Sequence, residues 1–121
     1  GLGDVYKRQV EEKEARSKAI QDATLYATEV PLRTMKAAHA TFPLLGLMAE
    51  TGNPASVSDA GVGALAARSA VLGAYLNVRI NAAGLKNREV AETLLKEAAG
   101  IAADAEEAER RVLDIVNSKI D

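Results

Sequence analysis

GNPASVSDAGVGALAARSAVLGAYLNVRIN, residues Gly52 to Asn81, sets a polar, turn-forming loop directly against a nearly uncharged run. Gly52, Asn53, Pro54, Ser56 and Ser58 are turn and cap formers, whereas Asp59 to Leu85 carries only Arg68 and Arg79 as further charges. A helix that is apolar nearly all round belongs inside a bundle. Its small residues, among them Gly61, Gly63, Ala64, Ala67 and Gly73, let neighbouring backbones approach closely, at a cost in helix propensity at each glycine. The stretch predicts a buried central helix with polar groups at its mouth.

Upstream, EEKEARSKAIQDATLYATEV contains no Gly or Pro, and Ala15, Ala19, Ala23, Tyr26 and Val30 recur every three or four residues. That spacing predicts an amphipathic helix with a charged outer face. Pro31 removes an amide donor, so a kinked continuation is expected through residues 31–50, loosened again at Pro43 and Gly46. Residues 1–9, GLGDVYKRQ, show neither a signal-peptide plan nor a helical period; they resemble an artefactual tail and are expected to stand outside the fold.

Downstream, the central helix is expected to run to about Leu85, with Lys86 and Asn87 turning the chain and Asn87 capping the last helix. Val90, Leu94, Ala98, Ile101, Ala105, Ala108, Val112 and Ile115 repeat every three or four residues, which puts one apolar stripe inward. The acidic run Asp104, Glu106, Glu107 and Glu109 reads as a solvated face. No segment alternates with period two. The fold class is therefore all-α, an antiparallel bundle of long helices, with residues 10–121 forming one domain or part of one.

Composition narrows the function. With a net charge of −2, a pI near 5.5 and 3 % aromatic residues, the 121-residue chain has no general field or stacking platform for nucleic acid. The absence of cysteine removes disulfides and thiolate chemistry and agrees with a cytoplasmic protein. The uncharged run between Arg68 and Arg79 holds ten residues, against the roughly 20 that a bilayer requires, so no membrane span is expected. A single histidine, His39, rules out multi-histidine metal sites, and no phosphate loop or Ser-His-Asp set is present.

The candidate site residues cluster in the opening stretch. Ser56 and Asp59 have the spacing of a capping box, which needs no function. Equally, Asp59 at the positive end of a buried helix, beside a Gly52-Asn53 loop, is equipped to transfer a proton or hold a cationic nitrogen. Asn77 and Asn81 stand one turn apart in an apolar helix, so each amide needs a neighbouring helix or a ligand as partner. Eighteen residues separate Asp59 from Asn77, about 27 Å along a helix axis, so the two cannot touch one reacting atom unless a long ligand or a second subunit joins them. Arg68 and Arg79 lie about three turns apart on one face, fit for pairing with glutamates of the same chain or for holding a carboxylate ligand.

ATEVPLRTM (residues 27–35), GNPASVSDAGVGA (52–64) and GAYLNVRIN (73–81), in this order and spacing, resemble the cyclodeaminase domain of formiminotransferase-cyclodeaminase and the related methenyltetrahydrofolate cyclohydrolases. The resemblance covers about Val10 to the C-terminus. It implies an all-helical, dimeric enzyme acting on one-carbon tetrahydrofolates, without a cofactor beyond that substrate and with a fused or associated formiminotransferase as partner. It places Asp59 as the acid/base or cation-stabilising residue, with Asn53, Ser56 and Ser58 as hydrogen bonders near the pterin and Asn77 and Asn81 as further binding residues. The family's upstream PGGGS-like motif has no counterpart here, so a C-terminal portion with little activity of its own is expected. A non-catalytic helical interaction or dimerisation module stands as the alternative.

Overall fold

The computed structural model describes residues 1–120: four helices, α1 (Leu2–His39), α2 (Phe42–Thr51), α3 (Pro54–Ala82) and α4 (Arg88–Ile120). Among the described residues there is no strand, as the missing period-two pattern implies. Helix α3 is the hub, packed against α1, α2 and α4. Its junction with α4 is built from small residues, Ala60, Ala64 and Ala67 on one side and Ala98, Ala102, Ala105 and Ala108 on the other, all buried. Alanine-lined faces let backbones come close. A Cβ added to Gly61 would lie 3.2 Å from Val116 Cγ1, which shows how near α4 runs. Larger side chains, Met35, Val57, Val71 and Val78, fill the rest of the core at 0 % exposure.

Several expectations change. Residues 2–9 are helical, because α1 starts at Leu2, although no helical period marks them; residues 1–9 are all exposed. The buried side of α1 is Thr28, Leu32 and Met35, while the stripe from Ala15 to Val30 stays exposed, so burial follows contact with α3 rather than the apolar count. Helix α1 passes through Pro31 and ends at His39; the break falls at Ala40 and Thr41, not at Pro43 or Gly46. Pro43 sits in the first turn of α2, where its missing N–H has no carbonyl to serve.

Helix α3 stops at Ala82, three residues short of Leu85, and the turn after it is tied down from both sides. Arg88 Nη1 donates to the carbonyls of Ala82 (3.1 Å) and Leu85 (3.0 Å). From α1, Gln21 donates to Gly84 O at 3.2 Å and accepts from the Lys86 N–H at 2.9 Å. Asn87 caps α4 as expected, its Oδ1 accepting from Val90 N at 3.2 Å. The inner stripe of α4 runs as the period predicts through Ala98, Ala105, Ala108 and Val112, and is shifted by one residue to Ala91, Ala102 and Val116 where Val90, Ile101 and Ile115 were expected.

The acidic run on α4 is not merely solvated. Glu109 and Glu106 stand 3.4 Å and 3.9 Å from the Arg68 guanidinium, and Asp104 pairs with His39. Arg68 therefore spends its charge within the chain. Arg79 instead lies over the Tyr75 ring, 5.3 Å from its centroid.

Helix α3 is not enclosed. One side is buried, while Val62, Leu65, Leu76 and Ile80 on the other are 47–74 % exposed. By length and composition alone it is also apolar enough to cross a bilayer once its two arginines are allowed, although no uncharged run in it is that long. The core helix of a bundle meets the same criterion, and here Arg68 in mid-helix is matched by carboxylates of α4.

Candidate functional site

At the mouth of α3, Pro54 decides the local geometry. Proline biases the residue before it to extended backbone, and Asn53 has φ −75° and ψ 166°, the conformation of a helix N-cap. Asn53 Oδ1 accepts from Ser56 N at 3.0 Å, and Ser56 Oγ donates back to Asn53 O at 3.2 Å. The cap is therefore Asn53, and the Ser56–Asp59 capping box does not form. Asn53→Ala is expected to cost about 1 kcal/mol, read as a fall in the denaturation midpoint.

Asp59 lies in the second turn of α3, exposed, with no hydrogen bond or ion pair among the described residues. Ser58 is exposed beside it. Relieved of the capping role, the Asp59 carboxylate is free to act on something outside its own helix.

The other end of α3 presents a groove of about 610 Å³ against α1, lined by Tyr26, Val30, Thr34, Asn77 and Asn81 among others. Pro31 explains one of these residues. Lacking an N–H, it leaves the carbonyl of Ala27, four residues back, without its helical donor. Asn81 Nδ2 supplies that donor from α3, at 2.9 Å. Asn81 is thus a structural partner of Pro31 as well as one of the few polar residues in a mostly apolar groove wall. Asn77 is exposed and makes no hydrogen bond among the described residues.

Two of the three motif stretches, residues 27–35 and 73–81, therefore meet across one groove, and the third, with Asn53 to Asp59, lies at the far end of the same unbroken helix. The structure keeps Asp59 and Asn77 on one side of α3 and about 27 Å apart. Within one chain they form two loci, not one.

A third locus was missed in the sequence. His39 Nε2 pairs with Asp104 Oδ2, joining the end of α1 to the middle of α4 beside a cavity of about 370 Å³ that Arg111 and Glu50 also line. His39 and Asp104 are 65 residues apart, so no local pattern links them. Among the described residues no group of three or more His, Asp or Glu side chains is gathered to hold a metal.

Comparison with known proteins gives the lineage. The chain is 42 % identical over 110 residues to a methenyltetrahydrofolate cyclohydrolase of Methylorubrum extorquens, covering 91 % of this chain and 53 % of that protein. It is 36 % identical over 104 residues to a formimidoyltransferase-cyclodeaminase of Dictyostelium discoideum, covering 86 % of this chain and 19 % of that one. A formimidoyltransferase-cyclodeaminase of Rattus norvegicus matches at 35 % over 95 residues, 73 % of this chain and 18 % of its own. The chain thus spans about half the length of the cyclohydrolase and under a fifth of the two longer enzymes. Residues 4–100 match the family described as formiminotransferase-cyclodeaminase, and the chain belongs to that family.

Proposed function

We propose that this chain is part of a one-carbon tetrahydrofolate enzyme, either a methenyltetrahydrofolate cyclohydrolase or a formimidoyltetrahydrofolate cyclodeaminase, working as a cytoplasmic homodimer. The observation that carries the reading is the 42 % identity to the cyclohydrolase across nearly the whole chain. In hydration, water adds to the methenyl carbon held between two folate nitrogens, a proton is lost, and the bond to one nitrogen breaks to leave a formyl group. In cyclodeamination the second folate nitrogen attacks the formimino carbon and ammonia leaves.

Both reactions pass through a tetrahedral carbon and need a group that moves a proton or stabilises a cationic nitrogen. Asp59 is assigned that role. Asn53, Ser56 and Ser58 are assigned to hydrogen bonding near the pterin, with Asn77 and Asn81 as further binding residues. The tetrahydrofolate is substrate, and no other cofactor is assigned; a formiminotransferase, fused or separate, is the partner proposed for the cyclodeaminase case.

A calorimetric titration of the whole gene product with tetrahydrofolate tests the reading against a purely structural module. Saturable heat with a dissociation constant in the range of about 1 μM to 1 mM usual for enzyme substrates is expected. A folded protein that gives no binding heat would instead favour the helical interaction module.

A further inference from the structure

The corner between α2 and α3 is short of backbone donors. A helix leaves its last carbonyls without N–H partners, and the chain beyond α2 does not supply them. The Glu50 carbonyl would take the N–H of residue 54, which is a proline and has none. The Ala49 carbonyl would take that of Asn53, which the extended backbone of Gly52 (φ −70°, ψ 152°) carries away. No backbone N–H among the described residues reaches either oxygen. Ala49 is fully buried, so solvent does not serve its carbonyl.

Lys119 serves both. From the last turn of α4 its Nζ donates to Ala49 O at 2.7 Å, across 70 residues of sequence, and also to Glu50 O. An ammonium carries three donors and suits the negative end of a helix, so one side chain satisfies two carbonyls at once. Packing brings it there. A Cβ added to Gly61 would lie 3.2 Å from Val116 Cγ1 and 3.6 Å from Leu113 Cδ2, so α4 runs beside the first turns of α3 and its next turn reaches the corner. At the opposite end of α3, Arg88 of the first turn of α4 holds the Ala82 and Leu85 carbonyls in the same way. Each end of α4 thus fixes one end of α3 through a cation.

We propose that Lys119 is a positioning residue, whose clamp on Ala49 and Glu50 fixes the corner from which Asn53, Ser58 and Asp59 are presented. The corner has little play. Gly52 N donates to Met48 O at 2.8 Å, and a Cβ at residue 52 would lie 2.5 Å from that oxygen and 3.0 Å from Ser56 Oγ. Asn53 and Ser56 then exchange the two hydrogen bonds of the α3 cap. Both sets of contacts depend on where α2 ends. Among the described residues, Lys119 is the side chain that ties that end to another helix by hydrogen bonds. The family match ends at residue 100, so Lys119 is assigned from geometry alone.

A loosened corner would spread the Asp59 carboxylate over several positions. Proton transfer requires the group within hydrogen-bond reach, and a misplacement of about 1 Å can cost about 10²-fold in rate. The effect on turnover rests on the folate reading; the clamp does not.

Amide hydrogen exchange of the whole gene product, followed by mass spectrometry, tests the clamp. Lys119→Met keeps the bulk of the side chain but no donor, and is expected to speed exchange at residues 52–59 by about tenfold or more with helicity unchanged. Lys119→Arg, which retains donors for both carbonyls, is expected to stay near native. Arg88→Met opens the other corner and should speed exchange at residues 83–87 while leaving 52–59 as they are. Lys119→Gln, a shorter and neutral donor, gives the same local reading should Lys119→Met unfold the chain. Exchange at 52–59 that is unchanged without the ammonium, or raised equally by Arg88→Met, overturns the clamp.

Turnover of the same variants, measured well below the melting transition, tests the positioning. In Lys119→Met kcat is expected to fall about tenfold or more, and in Lys119→Arg to return to within about threefold of native. A folded Lys119→Met protein with an opened corner and native kcat overturns the positioning role. A native protein that converts neither folate, with the exchange pattern as expected, removes the folate reading and leaves the clamp in place.

Discussion

Asp59→Asn in the whole gene product is expected to lower turnover by about 10²–10⁴-fold, the usual loss on removing a positioned acid or base. Asparagine keeps the shape of the side chain but neither gives nor takes a proton. Stability should hardly move. Asp59 is exposed, does not cap α3 and has no partner among the described residues, so its replacement belongs with surface changes of within about 0.5 kcal/mol, or a few degrees in Tm. Helicity by circular dichroism should be unchanged. A variant that melts early yet turns over normally would show that the carboxylate supports the helix and not the reaction. Ser58→Ala, one residue away on the same exposed turn, should reduce turnover less, because a hydroxyl that only orients substrate contributes binding and not proton transfer.

The second large effect concerns Asn81 and Pro31, which form one unit although 50 residues apart. Asn81→Leu removes the donor that serves the Ala27 carbonyl and should destabilise the chain by about 0.5–1.5 kcal/mol, the net worth of a solvent-accessible hydrogen bond. Pro31→Ala restores a backbone N–H for that carbonyl. In that background Asn81→Leu should cost markedly less, giving a coupling energy of about 0.5–1 kcal/mol in a double-mutant cycle followed by urea denaturation. Strict additivity would mean that Asn81 owes its place in the fold to packing and not to the proline.

Which features were legible in the sequence follows from how local their causes are. The helices and the α4 stripe could be read because a 3.6-residue period is written within a few turns of chain. Asn87 was legible as a cap for the same reason. Asn53 was not taken as the cap because Ser56 and Asp59 offered a competing local pattern, and the effect of Pro54 on the residue before it settled the matter.

The buried side of α1 was misread because Ala15 to Val30 form a good apolar stripe that nothing among the described residues covers. Thr28, buried at 0 % exposure, hides its polarity by donating to Thr24 O at 2.8 Å. Pairings between distant residues, Asn81 with Ala27 and His39 with Asp104, depend on which helices become neighbours. Proline at 31 did carry a signal, since a helix that continues through it must find a new donor for residue 27. The enclosure of α3 was overestimated for a related reason: an apolar helix surface records that something covers it, without recording whether that cover is the same chain.

The most direct test of the folate assignment is turnover by the whole gene product offered 5,10-methenyltetrahydrofolate and, separately, 5-formiminotetrahydrofolate. Loss of the methenyl compound to 10-formyltetrahydrofolate, or release of ammonia from the formimino compound, is the expected result, abolished in either case by Asp59→Asn. A folded, helical preparation that converts neither folate above the uncatalysed rate would contradict it.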